Sequence, residues 1–118
     1  MTLECGQHSD PKAPEVAEHA IRQALALLEL AELPLAPPRT DHEMLRLAEV
    51  TDRLHVDDRF VRDWASFDAV RAGEPIAVRH DGHIVAAPAD GRIVFPNSKA
   101  EPGHEWFYFA QPSGRSLT

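Results

Sequence analysis

With 118 residues, 43% of them hydrophobic, the chain suffices for one modest core with an appendage at most. Its formal net charge of −7, with lysine confined to Lys12 and Lys99, leaves no basic surface for nucleic acid or an anionic membrane, and no apolar run approaches the roughly 20 residues that span a bilayer. The start MTLECGQH lacks the basic-then-apolar pattern of an export signal, and the single Cys5 excludes an internal disulfide and a multi-thiolate zinc site, so a cytoplasmic protein is expected.

From Pro14 to Leu30, Val16, Ala20, Ile21, Ala24, Leu25, Leu27 and Leu28 recur at three- and four-residue spacing, which predicts an amphipathic helix. Ser9 or Asp10 is the expected N-cap, with Pro11 just inside the start. Pro34, Pro37 and Pro38 then break the pattern and predict an extended, stiff linker. Met44 to Val56 reads as a strand, Phe60 to Trp64 as another, and Phe67 to Val70 as a single helical turn. Two Asp-Gly pairs follow, at 81–82 and 90–91, each between apolar runs, and Asp-Gly is the residue pair that type I′ hairpin turns favour. Pro75 to Arg79 should therefore pair with His83 to Ala87, and Ile93-Val94-Phe95 should follow the second turn. In Trp106-Phe107-Tyr108-Phe109, strand alternation puts Trp106 and Tyr108 on one face and Phe107 and Phe109 on the other. The expected fold is mainly β with one N-terminal helix, a small antiparallel barrel or sandwich.

Few residues announce chemistry by themselves. His80 and His83 flank the first Asp-Gly turn and are expected opposite each other on a solvated hairpin. His55, Asp57 and Asp58 have the types of a metal site, but adjacent carboxylates on an exposed stretch read as solvated. Cys5 reads as a small buried side chain, since no His-plus-carboxylate pattern marks it as a nucleophile.

Four motifs carry a resemblance. They are Thr2-Leu3-Glu4-Cys5-Gly6 before a helix, Arg71-Ala72-Gly73-Glu74-Pro75-Ile76-Ala77, Ala87-Pro88-Ala89-Asp90-Gly91 with Ile93-Val94-Phe95-Pro96, and Gly103-His104-Glu105-Trp106-Phe107-Tyr108. In this order and spacing the chain resembles the C-terminal part of the succinylglutamate desuccinylase/aspartoacylase family, zinc-dependent amidohydrolases related to zinc carboxypeptidases. The resemblance implies that residues 1–33 are the end of an α/β zinc domain, a strand plus the helix. Residues 34–41 would be a Pro-rich linker, 42–112 a C-terminal β-domain resembling a lipoyl or biotinyl barrel, and 113–118 a flexible tail. It implies that Glu4 is the general base, and that Glu105 and Tyr108, matching a Glu-x-x-Tyr at the mouth of the site, are substrate-side residues. The substrate would be a small N-acyl amino acid and the parent cofactor zinc. Family members hold the metal by His-x-x-Glu and a later His, yet none of the seven histidines here begins a His-x-x-Glu. Zinc is therefore not expected on this chain, which alone should be inactive.

Two further functions compete. A stand-alone binding or assembly module would use the apolar face of the helix at 14–30 for self-association. A biotinyl- or lipoyl-type carrier needs a lysine at a hairpin tip between Met or acidic neighbours, which neither Lys12 nor Lys99 provides.

Overall fold

A computed structural model describes residues 2–6, 9–39 and 41–115. The chain divides into two compact units, Met1–Asp41 and His42–Thr118. The described residues form one helix, α1 (Ala13–Leu27), and seven strands: β1 (Leu45–Asp52), β2 (Arg59–Phe60), β3 (Ala69–Val70), β4 (Pro75–Val78), β5 (Ile84–Ala86), β6 (Gly91–Val94) and β7 (Glu105–Pro112). The protein is mainly β with one helix, as the sequence predicts. Among the described residues no helix is long and apolar enough to cross a membrane.

In the first unit the N-cap of α1 lies later than the predicted Ser9 or Asp10. Lys12 is its N-cap without a side-chain hydrogen bond, and Pro14 falls in the first turn, where no intrahelical N–H is needed. Asp10 contributes one step earlier: its Oδ1 accepts the Lys12 N–H at 2.9 Å and its carbonyl accepts the Ala13 N–H at 3.1 Å, forming the turn that leads in. The C-terminus closes as a Schellman motif, with the Leu30 N–H donating to the Leu25 carbonyl at 2.9 Å and the Glu29 N–H to Ala26 at 3.1 Å. Glu29 takes the left-handed conformation this requires, φ 57°, and that ends the helix at Leu27, short of the predicted Leu30. The Pro-rich segment is held against the helix by Gln23, which donates to the Pro34 carbonyl at 3.1 Å and accepts the Ala36 N–H at 2.7 Å.

The second unit is a small sandwich of two antiparallel sheets, not a closed barrel. One sheet has the order β1-β7-β6-β3 and the other β2-β4-β5. Val70, Ile93, Phe107 and Phe109 of the first sheet and Ile76 and Ala77 of the second are buried in one core, with Trp64, Ala87, Ala100 and Trp106. Phe60 stacks on Trp106 at 4.7 Å between ring centroids. At about 25 cal/mol per Å² the aromatic side chains supply much of the driving force for so small a domain.

Several local expectations are corrected. Phe60 to Trp64 is strand only at Arg59–Phe60; beyond it the chain turns so that the Trp64 indole N–H reaches the Ile76 carbonyl at 3.0 Å. Phe67 to Val70 is no helical turn. The Asp68 N–H bonds back to Ala65, Phe67 sits at φ 74°, and Ala69–Val70 runs as β3 beside Gly91 and Arg92. The β4–β5 hairpin forms as predicted, but through a three-residue loop in which only Gly82 has positive φ (88°), bridged from Gly82 N–H to the Arg79 carbonyl and from Arg79 N–H to His83. The second Asp-Gly makes no hairpin, because β5 and β6 belong to different sheets. Gly91 is needed for close approach: a Cβ there would lie 2.3 Å from the Ala110 carbonyl oxygen and 2.6 Å from the Phe109 ring. Of the predicted 113–118 tail, the Ser113 N–H donates to the Met44 carbonyl at 2.8 Å, and 116–118 lie outside the described residues.

Strict alternation also fails along β7. Thr51 pairs with Phe107 and Asp52 with Glu105, so Trp106 is an extra residue, a β-bulge. Trp106 and Phe107 are consequently both buried, at 1% exposure each, and Phe109 joins them. The same shift places Glu105 and Tyr108 on one face, which an unbroken strand would put on opposite faces.

Candidate functional site

Glu4 belongs to the first unit and is exposed; Cys5 beside it is half-buried. Thr2–Gly6 forms no strand, since a strand needs a neighbour to receive its ladder and the described residues give it none. Gly6 has φ 120°, a conformation L side chains rarely adopt, and its missing Cβ would lie 3.1 Å from Asp10 Oδ2. The glycine of the motif thus turns the chain out of the Glu4 segment toward α1.

Glu105 and Tyr108 are brought together. The bulge at Trp106 aligns them, and the Tyr108 hydroxyl donates a hydrogen bond to the Glu105 carboxylate. That bond, with lesser contributions from burial and the charges of Glu105 and Asp52, holds the phenol above its ordinary pKa. Phe95 packs edge-on against the Tyr108 ring at 6.1 Å, itself at φ 52° and fixed by the Ser66 hydroxyl, which accepts its N–H at 2.9 Å. Glu105 borders a shallow groove of about 680 Å³ with Val50, Asp52, Gly103 and His104. The pair offers an acceptor and a shared proton to an incoming polar group.

The centre of polar order in this unit is Asp58, whose place beside a second carboxylate predicts a solvated side chain. Asp58 is fully buried. Its Oδ2 accepts from Arg79 Nη1 at 2.8 Å, Leu54 N–H at 2.9 Å and His55 N–H at 3.1 Å, and its Oδ1 from His80 N–H at 2.9 Å. Burial alone would push the carboxyl up, but Arg79 and the three N–H donors outweigh it and hold Asp58 well below the usual carboxylate range. Asp57, one residue away, is exposed. The usable signal is period two: Asp58 stands just before β2 and two residues ahead of Phe60, which packs on the core, and extended chain puts residues two apart on one side. His80 meets His55 and not His83; the two imidazoles stack at 4.2 Å with 21° between planes. Arg79 occupies the position opposite His83 because the loop has three residues.

Arg53 is a second organising side chain absent from the sequence reading. Its guanidinium donates to the carbonyls of Val56 at 2.7 Å, Asp58 at 2.9 Å, Ala100 at 2.9 Å and Ser98 at 3.4 Å. It ties the turn after β1 to the loop between β6 and β7, whose far end begins β7 at Glu105.

Among the described residues no three His, Cys, Asp or Glu side chains gather as a metal site. The zinc that the resemblance implies therefore finds no ligand set in this part of the chain; His8 lies outside the described residues. Comparison with known proteins adds no identity: no family model, no curated protein and no solved structure matches the chain.

Proposed function

We propose that this chain is the C-terminal part of a zinc-dependent amidohydrolase of the succinylglutamate desuccinylase/aspartoacylase type, a cytoplasmic enzyme that hydrolyses an N-acyl amino acid. The observation that carries this reading is the Tyr108–Glu105 pair. A hydroxyl and a carboxylate joined on the outer face of β7, and aligned there by a bulge, add nothing to the core that Trp106, Phe107 and Phe109 form. Their spacing is the Glu-x-x-Tyr that the resemblance places at the substrate, and Phe95 orients the tyrosine.

In this reading the β-unit walls the entrance, and Glu4 moves the proton. As water adds to the acyl carbon, the carboxylate of Glu4 takes a proton from it. When the C–N bond breaks, Glu4 returns that proton to the departing nitrogen, giving a free acid and the amino acid. The described residues do not fit a zinc site, so the ion's ligands would come from polypeptide beyond this chain, which by itself binds no zinc and is inactive.

The test is zinc content and amine release from succinylglutamate, acetylaspartate and acetyl-diaminobutyrate, for this chain and for the polypeptide extended upstream in its own reading frame. The extended form is expected to carry zinc and hydrolyse one of them, and Glu4→Gln to slow it by about 10²–10⁴-fold. Tight zinc in the short chain, full activity of Glu4→Gln, or an extended form that turns over no acylated amino acid would each reject the proposal.

One observation favours a second reading, an assembly module. Ile21, Leu27, Leu28 and Leu30 are 61%, 68%, 66% and 71% exposed, and α1 buries none of its residues. Concentration-dependent sedimentation lost in Leu27→Glu supports it; a strict monomer removes it.

A further inference from the structure

The chain's ten arginines are few against nineteen acidic residues, yet three of them line one groove. Arg53, Arg59 and Arg62 border a depression of about 410 Å³ with Asp58, Phe60, Asp63, Ser98 and Trp106. That volume lies within the range of small-molecule sites.

The charges in this groove do not cancel. Asp58 is committed to Arg79, which reaches it from β4's end. Arg53 donates only to backbone carbonyls, so no carboxylate neutralises it, and its Nε is buried without an acceptor. Among the described residues Arg59 has neither an ion pair nor a side-chain hydrogen bond; it stands on β2, the edge of its sheet. Arg62 lies 3.7 Å over the Trp64 ring and has only a long 3.5 Å contact with Asp68. Asp63 is the one further carboxylate at the rim. The result is a local excess of positive charge on a strongly acidic chain, with one guanidinium fixed by four carbonyls and another placed over an indole.

We infer that this groove is a binding site for a small polyanion, a di- or tricarboxylate or a phosphate group, held between Arg59 and Arg62 with Arg53 supplying charge from beneath. Arginine suits this role because its planar fork donates two parallel hydrogen bonds to one oxyanion. Ordering of Arg62 by Trp64 and of Arg53 by its carbonyls lowers the entropy lost on binding. Ser98, at the rim, offers a hydroxyl to the same ligand. The inference does not depend on the hydrolase reading.

Nitrogen-15 NMR titration of the full chain with succinate, citrate, inorganic phosphate and acetate tests it. Succinate, citrate or phosphate should shift the amides of Arg59 to Asp63 and the Trp64 indole, with acetate weaker on the order of tenfold for the lost second charge. The order among the three assigns the natural ligand to carboxylates or to phosphates. Arg59→Ala, an exposed change that leaves the core alone, should weaken binding by about tenfold, as should Arg62→Gln. Arg92→Gln, outside the groove, should leave it unchanged. Absence of shifts at these amides with every anion, or shifts that persist undiminished in Arg59→Ala/Arg62→Gln, overturns the inference.

Discussion

Replacing Asp58 tests how the β-unit is held together. In Asp58→Ala the side chain of Arg79, only 16% exposed, loses its counter-ion, and breaking such a buried pair from one side costs about 3–5 kcal/mol. The N–H groups of Leu54, His55 and His80 lose their acceptor as well, which would add a few kcal/mol if water did not enter the gap. A total of about 5 kcal/mol is comparable with the whole stability of so small a domain, so Asp58→Ala should be largely unfolded in water. Asp58→Asn is the variant that can be measured. It keeps one acceptor but presents an amide N–H₂ to donors, and it should lose roughly 2–3 kcal/mol. The assay is urea unfolding followed by fluorescence of Trp64 and Trp106, the only tryptophans. With m of about 1 kcal/mol/M, the midpoint should fall by about 2–3 M at unchanged slope. The acid limb supplies an internal check. Asp58 has a folded-state pKa below its unfolded value of about 3.9, so its stabilisation is complete above that pH and fades as pH falls through and below it. Wild-type stability should therefore drop below about pH 4, and Asp58→Asn should flatten that drop. An Asn variant within about 0.5 kcal/mol of wild type, or one with an undiminished acid slope, would refute the assignment of Asp58 as the buried node.

Three other substitutions probe separate links. Gly91→Ala drives a methyl into the Ala110 carbonyl and the Phe109 ring and should cost about 3 kcal/mol, read as a lower urea midpoint; a neutral effect would mean that β6 and β7 do not approach so closely at this point. Tyr108 is the only tyrosine, so phenolate absorbance titrates it alone; Glu105→Gln should lower its pKa toward the ordinary value, and an unmoved titration would deny the pair. Glu29→Gly should stabilise α1 by about 0.5–1 kcal/mol, since glycine fits the left-handed Schellman position, with slower amide exchange in the helix's last turn as the readout.

Features that neighbouring residues enforce are legible in their order and spacing. Apolar spacing from Val16 to Leu28 gave the helix because residues three and four apart share a face. The prolines at 34, 37 and 38 kept the segment after it extended, for want of N–H groups, and Gly82 marked the β4–β5 turn because it takes the positive φ there. The lack of any His-x-x-Glu is likewise a plain property of the chain. Tertiary structure decided what depends on partners far along the chain. Asp57 and Asp58 are chemically identical, and Asp58 is distinguished by Arg79 and the His80 N–H, 21 and 22 residues away, together with the N–H groups of Leu54 and His55. Asp81-Gly82 and Asp90-Gly91 read alike, yet Gly91 answers to Phe109 and Ala110 across a sheet and not to its own turn. Glu105 and Tyr108 share a face only because pairing with β1 leaves Trp106 unmatched. Local sterics act over a few bonds and are written in order and spacing, whereas burial, register and bulges are settled when two strands meet, by which side chains the core can enclose.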